Sequence, residues 1–233
     1  MATYCMSDIH GNYEKYQQML KKLHFCDSDT LYVIGDVIDR GSHSIKVLQD
    51  MMLRPNIIPI IGNHEYMAGI CLRMLVQEIT YDSIAELSGE LIHGLMEWQD
   101  VGGQATIDEF HKLSYEEKMD IIDYLEEFSL YEEVSCGGDK FVLVHAGLEN
   151  FREDRPLDDY GPHETLFCAP DYSRIYFCDK YLVTGHLPTW AIEGNPYPDR
   201  IYKGNNHIAI DCGCGFDGQL GAICLETGEE FYI

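Results

Sequence analysis

The chain begins with short apolar runs that alternate with amphipathic segments. The runs "TYCMS", "TLYVIGD" and "NIIPIIGN" predict three strands, and the intervening segments "YEKYQQMLKKL" and "SIKVLQDMML" carry apolar residues at helical spacing. A β-α-β-α-β order predicts parallel strands, because a helical crossover returns the chain to the same end of the sheet. The carboxyl ends of these strands are therefore expected at one sheet edge.

The hydrophobic pattern changes after residue 65. Apolar residues recur at helical spacing from 66 to 131, and Ser114 with Glu117 forms a capping-box pattern. Strand-like runs return at "KFVLVHAG", "KYLVTGH", "NHIAID", "GAICLE" and "EFYI", with Asp217-Gly218 and Thr227-Gly228 predicted as hairpin turns. We predict an α/β protein with one domain over residues 1–233, a helical insertion at about 66–131 and a β-rich second half.

Polar residues follow every one of the main predicted strands. The five strand ends are "SDIHG", "GDVIDRG", "GNHE", "VHAG" and "TGH". Ligands of open α/β sheets bind outside the carboxyl ends of the strands, so these side chains are expected to converge. The converging set is Asp8, His10, Asp36, Asn63, His145 and His186.

The chemistry of this set predicts a metal centre. Carboxylates, imidazoles and an amide oxygen together suit Mn²⁺, Fe or Zn²⁺ better than Mg²⁺ or Ca²⁺, which favour all-oxygen shells. Six ligands exceed the needs of one open catalytic metal, so two divalent ions that share a carboxylate are expected, with Mn²⁺ favoured. Single motifs have simpler explanations: Asn63 could cap a helix, His145 could be a core histidine, and Arg40 could pair with Asp39. Those explanations do not account for the coincidence at five strand ends.

Composition and charge restrict the partners. An apolar fraction of 45% is typical of a globular protein, and the sequence predicts no membrane span. The formal net charge of −24 argues against a nucleic-acid surface and requires a locally positive site if the substrate is an anion. Nine cysteines without a Cys-x-x-Cys pair, and a start without signal-peptide character, favour reduced thiols and a cytoplasmic location. The sequence does not indicate an oligomeric state.

The blocks "SDIHG", "GDVIDRG" and "GNHE", together with "HAG" and "GH", resemble the signatures of the calcineurin-like metallophosphoesterases. The resemblance is to the phosphoprotein phosphatase branch, which includes bacterial and phage serine/threonine phosphatases. It implies a four-layer fold with a central β-sandwich flanked by helices. It also implies that Asp8 and His10 hold the first metal, that Asp36 bridges, and that the second metal is held by Asn63, His145 and His186.

The same resemblance implies roles for three further residues. Arg40 is expected to clamp phosphate, His64 to act as general acid, and Asp39 to orient His64. The implied reaction is hydrolysis of phosphoserine or phosphothreonine by direct attack of a metal-bound hydroxide. The implied partner is a phosphorylated protein or a small phosphoester.

Two alternatives remain open at the level of sequence. A dinucleoside polyphosphate hydrolase of the same fold would need aromatic residues to stack on a base, and the candidates are Tyr66, Trp98, Phe167 and Tyr172. A phosphate-binding module without catalysis is the second alternative. The segment "ETLFCAPDYSR" departs from the family pattern, because Ala169 stands where a second phosphate-clamping arginine is expected. Arg174 could substitute for it.

Overall fold

The computed structural model describes residues 1–76 and 89–233. The strands in chain order are β1 (Thr3–Met6), β2 (Thr30–Ile34), β3 (Ile57–Ile60), β4 (Tyr131–Cys136), β5 (Asp139–Val144), β6 (Tyr181–Thr184), β7 (Tyr202–Gly204), β8 (His207–Ala209), β9 (Gly221–Cys224) and β10 (Glu230–Tyr232). They form one sheet in the order β10-β9-β1-β2-β3 and a second in the order β4-β5-β6-β8-β7. Both sheets mix parallel and antiparallel pairs.

The helices of the described residues follow the sequence pattern closely. In chain order they are α1 (Tyr13–Lys22), α2 (Ser44–Met52), α3 (Asn63–Val76), α4 (Gly89–Trp98), α5 (Gln104–Phe110), α6 (Tyr115–Glu126) and α7 (Pro162–Leu166), with a π-helical turn at Gln99–Gly103. The predicted capping box is confirmed, since Ser114 Oγ accepts the Glu117 backbone N–H at 3.2 Å. The β1-α1-β2-α2-β3 unit is parallel as predicted.

Alternating side chains divide the interior into layers. In β1, Cys5 belongs to an apolar cluster shared by the two sheets, whereas the next residue, Met6, packs among the helices. In β5, Phe141 and Leu143 face the first sheet, and Val142 packs with residues of the later loops. This period of two follows from the pleat of a strand. The predicted β-sandwich flanked by helices is confirmed.

One turn prediction is correct and one is wrong. The Thr227-Gly228 turn joins the antiparallel strands β9 and β10, with the Gly228 N–H donating to the Cys224 carbonyl at 2.8 Å. The Asp217-Gly218 turn does not form a hairpin, because it lies between β8 and β9, which belong to different sheets. A local turn signal predicts a change of direction but not the sheet that receives the next strand.

Three further expectations concern the whole chain. The predicted insertion at 66–131 contains α4 to α6, but residues 77–88 lie outside the described residues, and the division into one domain stays a prediction. None of the nine cysteines is paired with another in the structure, and their reduced state stays a prediction. Among the described residues, no helix has the length and apolar character needed to cross a bilayer.

Candidate functional site

The predicted site residues lie together where the strands end. Asp8, Asp36 and His186 each follow a strand by two residues, His145 follows β5 directly, and Asn63 begins α3. Non-glycine residues rarely adopt a positive φ, and such strain concentrates at functional sites. Positive φ angles of 46–72° occur at Asp8, His10, Asp36, Asp39, Arg40 and His186. The sharp turns that these angles create direct the side chains back over the sheet edge.

Asp36 is the carboxylate shared by two groups of potential metal ligands. The ligand atoms of His10, Asp36 and His64 lie within 4.8 Å of one another, and so do those of Asp36, His145 and His186. Asp36 Oδ1 is 3.3 Å from His145 Nε2, and Oδ2 is 3.7 Å from His10 Nε2. A carboxylate between two sets of imidazoles has the arrangement needed to bridge two cations.

Asn63 and Asp8 adjoin these groups in different ways. Asn63 Oδ1 is 3.0 Å from His145 Nε2 and 3.1 Å from His186 Nδ1. The Asp8 carboxylate is outside both 4.8 Å groups and accepts the backbone N–H of His186 at 3.1 and 3.2 Å. Among the described residues, the first group of ligand atoms thus contains His64 and not Asp8.

Backbone carbonyls fix the tautomers of two imidazoles. His10 Nδ1–H donates to the Ile38 carbonyl and His145 Nδ1–H donates to the Ile34 carbonyl, each at 3.0 Å. Because a carbonyl only accepts, Nδ1 carries a hydrogen in both rings, and Nε2 carries the lone pair whenever the ring is neutral. Metal-binding histidines typically have their second nitrogen fixed in this way. The donor set and its orientation therefore fit divalent ions.

Burial and charge set opposite protonation states within the site. Burial lowers the pKa of His10 to about 3, and burial together with His145 lowers that of His186 to about 4. Burial would also lower the pKa of His145, but the Asp36 carboxylate outweighs it and raises that pKa to about 10. Conversely, His145 and His64 outweigh burial and hold the pKa of Asp36 well below its usual value. The shared carboxylate is therefore ionised.

Asp39 orients His64 as the sequence predicts. His64 Nδ1–H donates to Asp39 Oδ2 at 2.6 Å, and Trp98 Nε1–H donates to the same oxygen at 2.7 Å. Thr106 Oγ1–H donates to Oδ1, and all four side chains are buried. Burial lowers the pKa of His64, but Asp36 and Asp39 raise it overall. The ring is held so that Nε2 points away from Asp39.

Arg40 lies at the outer side of the two imidazoles. Its Nη1 is 3.0 Å from His10 Nε2 and its Nη2 is 3.3 Å from His64 Nε2, so it donates to both lone pairs. Its Cζ atom lies 4.3 Å from the centroid of the Phe216 ring. A guanidinium with two forward-facing nitrogens is suited to bidentate contact with a phosphoryl group.

The sequence reasoning missed several buried partners of the site. Glu65 accepts the backbone N–H groups of Asp36, Val37, Ile38 and Gly62 at 2.8–3.2 Å and so fixes the turn after β2. Glu65 is the last residue of the "GNHE" block, so its sequence position could have identified it as part of the site. Trp98 and Thr106 lie 59 and 67 residues from Asp39, so no local pattern connects them.

A second missed carboxylate, Asp211, is buried beside Asp8. Burial raises the pKa of Asp211 to about 6. Burial and the Asp211 charge together raise the pKa of Asp8 well above its usual value. Two neighbouring buried carboxylates favour a compensating cation, so this pair also fits the donor chemistry of a metal centre.

The aromatic candidates for base stacking separate into two groups. Trp98 is fully buried against Asp39 and is not available to a ligand. Tyr172 is partly buried and already stacks one face on buried His207, with ring centroids 4.7 Å apart. Tyr66 and Phe167 contact each other with centroids 6.1 Å apart, and Phe167 is 41% exposed. Phe167 remains a candidate.

Arg174 does not replace the arginine expected at position 169. Its guanidinium carbon lies 5.1 Å from the Phe151 ring and 5.2 Å from the Tyr176 ring, away from the residues that surround Arg40. Ala169 is exposed. Among the described residues, Arg40 is thus the arginine that contacts the predicted site.

Comparisons with known proteins support this chemistry. A family model described as calcineurin-like phosphoesterase matches residues 1–212. Bis(5'-nucleosyl)-tetraphosphatase PrpE (asymmetrical) from Halalkalibacterium halodurans is 27% identical over 250 residues, covering 94% of this chain and 87% of that protein. The symmetrical bis(5'-nucleosyl)-tetraphosphatase from Cellvibrio japonicus is 28% identical over 263 residues, covering 98% of this chain and 97% of that protein.

Solved structures confirm the predicted fold. A candidate diadenosine tetraphosphatase matches with a TM-score of 0.68 at 17% identity, covering 99% of this chain and 92% of that one. A serine/threonine phosphatase from Saccharomyces cerevisiae matches with a TM-score of 0.62 at 15% identity, covering 98% of this chain and 73% of that one. At such identities the likeness concerns the fold alone.

The predicted serine/threonine phosphatase activity is contradicted, because the named relatives are tetraphosphatases of nucleotides. The family signatures describe the metal site that both activities share, so they could not separate the two.

Proposed function

Because the chain belongs to the calcineurin-like phosphoesterase family and is a metal-dependent phosphohydrolase, we propose that it hydrolyses dinucleoside polyphosphates of the diadenosine tetraphosphate type. The observation that carries this proposal is the pair of ligand groups joined at Asp36, with Arg40 beside them. The choice of substrate rests on the relatives, which match nearly the full length of the chain.

The donor atoms divide between two divalent ions. Asp8, His10 and Asp36 would hold one ion, and the second would be held by Asp36, Asn63, His145 and His186. Such ions supply Lewis acidity toward phosphoryl oxygens and activate water. The mixed oxygen and nitrogen donors favour Mn²⁺, with Fe or Zn²⁺ as alternatives.

The side chains of the protein bind and orient the substrate. Arg40 donates its two forward-facing N–H groups to a phosphoryl oxygen or to two of them, in place of the imidazole nitrogens that they now contact. Once Arg40 has turned to the phosphate and His64 has taken up a proton on Nε2, that atom is placed to give the proton to the departing oxygen, while the Asp39 carboxylate accepts the Nδ1–H on the opposite side of the ring. The buried donors Trp98 and Thr106 keep that carboxylate from rotating.

The proposal agrees with the charge of the molecule. A polyphosphate is repelled by a protein with a formal net charge of −24 unless the site itself is positive. Arg40 and two divalent cations provide that local charge, since the ionised ligands only partly compensate for them. Binding is therefore expected to depend on metal even before the chemical step.

Product analysis tests the proposal. The purified protein with Mn²⁺ is given diadenosine tetraphosphate or a phosphoserine peptide, and products are separated by chromatography. We expect a larger kcat/KM for the nucleotide; two ADP indicate symmetrical cleavage, and ATP with AMP indicates asymmetrical cleavage. Asp36→Asn is the control and should lose both bound metal and activity, because a neutral amide does not offset two neighbouring cations. Faster hydrolysis of the peptide, or full activity with a chelator, would contradict the proposal.

A further inference from the structure

Two exposed aromatic side chains continue outward from Arg40. Phe216 is 55% exposed, and Trp190, 45% exposed, contacts it edge to face with ring centroids 5.7 Å apart. The Arg40 guanidinium covers Phe216 at 4.3 Å. An aromatic surface therefore begins at the group that is proposed to bind phosphate.

The backbone is shaped to carry this surface. Gly213 has a φ of +81°, and a Cβ atom at this position would lie 1.8 Å from Trp190 Cζ3, so the tryptophan ring rests on a backbone that only glycine provides. Trp190 belongs to the turn Thr189–Ala191, and the Thr189 N–H donates to the carbonyl of Asp211 at 2.9 Å. Phe216 follows Gly215, where an added Cβ would lie 2.3 Å from His10 Cδ2. Both rings thus belong to segments that pack against the candidate metal ligands or their neighbours.

The combination of a cation with aromatic faces suits a nucleotide. Aromatic side chains stack on nucleobases of any sequence, and each such contact contributes substantially to affinity. Isolated exposed aromatic residues need no explanation, but this pair is contiguous with Arg40. A nucleoside carries its base one ribose away from its 5'-phosphate, so the base of a nucleotide whose phosphate is bound by Arg40 can reach the adjoining aromatic rings.

We propose that Trp190 and Phe216 form the surface on which one nucleobase of the substrate stacks while an adjoining phosphate is bound by Arg40. The inference rests on the proposed function for the identity of the substrate. Trp190 and Phe216 lie outside the sequence motifs that contain the candidate metal ligands, so the base would be recognised by residues other than those motifs. Inorganic tripolyphosphate has the same phosphoanhydride bonds without a base and is therefore the matched probe.

The first test compares two substrates in one variant. In Trp190→Ala, the ratio of kcat/KM for diadenosine tetraphosphate to kcat/KM for tripolyphosphate should fall about tenfold, mainly through KM. Trp190→Phe, which retains an aromatic face, should restore most of the ratio. Tyr115→Ala, which removes an exposed aromatic residue at the start of α6, should leave it unchanged. An unchanged ratio in Trp190→Ala overturns the inference.

The second test measures binding without catalysis. The chain has two tryptophans, of which Trp98 is buried and Trp190 is half-exposed. AMP, which has no phosphoanhydride bond, should quench the fluorescence of the metal-loaded protein, and tripolyphosphate should quench it much less. The AMP effect should disappear in Trp190→Phe. Quenching that persists in this variant overturns the inference.

The two tests separate the inference from the proposed function. If diadenosine tetraphosphate is not hydrolysed but AMP quenches Trp190, the proposed function fails and the stacking surface stands. If the nucleotide is hydrolysed and neither measurement depends on Trp190, the function stands and the stacking surface is wrong. Phe216 is left intact in both tests because its ring also contacts Arg40.

Discussion

His64 contacts both the shared carboxylate and the orienting one, so its role can be decided with a single variant. Its Nε2 is 3.8 Å from Asp36 Oδ2, and its Nδ1 is 2.6 Å from Asp39 Oδ2. The first contact is compatible with metal binding, and the second is typical of an oriented acid. The two roles differ in what a substitution removes.

We expect His64→Asn to act on the chemical step and to leave the metal in place. General acids typically contribute about 10²- to 10⁴-fold, and the contribution grows with the basicity of the leaving group. The loss should be large for phenyl phosphate and smaller for diadenosine tetraphosphate, whose leaving group is a weakly basic phosphate. Steady-state kinetics and metal analysis of the same preparation test this. Loss of about one ion per chain would instead make His64 a ligand.

Ala169 is the position at which the family pattern predicts a second phosphate-clamping arginine. It follows Phe167 by two residues, and the Phe167 backbone lies near enough to His186 to oppose the lowering of its pKa. Ala169→Arg is expected to lower KM about tenfold, because a hydrogen bond between charged groups contributes roughly 1.5–3 kcal/mol. Little change in kcat is expected if ground and transition states gain equally.

The matched control for that prediction is Arg174→Ala. Arg174 packs on Phe151 and Tyr176, so its removal should leave KM for diadenosine tetraphosphate unchanged. A marked rise in KM in Arg174→Ala, with no effect of Ala169→Arg, would show that Arg174 already binds phosphate. Initial-rate measurements over a range of substrate concentrations distinguish these results.

At the scale of elements, the segment from the end of α4 to α5 holds the turn after β2 that carries Asp39 and Arg40. Trp98 ends α4 and Thr106 lies in α5, and both donate to Asp39. Between them, the Gly102 carbonyl accepts the Arg40 backbone N–H at 3.1 Å. The helical layer, rather than the sheet, thus sets the orientation of Asp39 and Arg40.

Gly102→Ala should disturb Arg40 through this connection. Gly102 has a φ of +115°, and an added Cβ would lie 2.7 Å from Arg40 Cγ. We expect a loss of about 1–3 kcal/mol in the free energy of unfolding and a higher KM, with metal content unchanged. Urea unfolding and kinetics measure the two effects.

Gly94→Ala in α4 is the control, because no described heavy atom lies within 4 Å of the added Cβ. Alanine in a helix interior should stabilise the protein by roughly 0.5–1 kcal/mol relative to glycine, without changing KM. Equal effects of the two substitutions would show that the connection has no special influence on Arg40.

At the scale of the whole molecule, a buried histidine of the second sheet links stability to pH. His207 Nε2 is 2.9 Å from Thr184 Oγ1, and the ring stacks on Tyr172. Burial lowers the pKa of His207 to about 3, compared with 6.5 for the ordinary residue. Between these values the unfolded chain binds a proton that the folded chain does not, so stability falls as the pH is lowered.

His207→Gln should reduce this dependence. Between pH 7 and pH 5, the free energy of unfolding of the wild type should fall by about 2 kcal/mol more than that of the variant, since one pKa unit corresponds to about 1.36 kcal/mol. Urea unfolding of both proteins at the two pH values provides the measurement. Parallel pH dependences would mean that His207 does not remain neutral in the folded protein.

The sequence by itself determined the strand ends and the chemistry they carry. Apolar runs and their period of two are local properties, so they located β1, β2 and β3 and the polar residues that follow them. The convergence of Asp36, Asn63, His145 and His186 followed from the rule for strand ends. The hairpin at Thr227-Gly228 was also local enough to predict.

Only the tertiary structure decided which distant segments complete the site. Three features of the site depend on how the layers pack. Asp8 lies outside the group that contains His64, Trp98 donates to Asp39, and Phe216 contacts Arg40. The same is true of Asp217-Gly218, which joins the two sheets. Local patterns encode which residues are buried and where an element ends, whereas contacts between residues far apart in the chain are fixed by the packing of whole elements. That packing determines which side chains surround the candidate metal ligands.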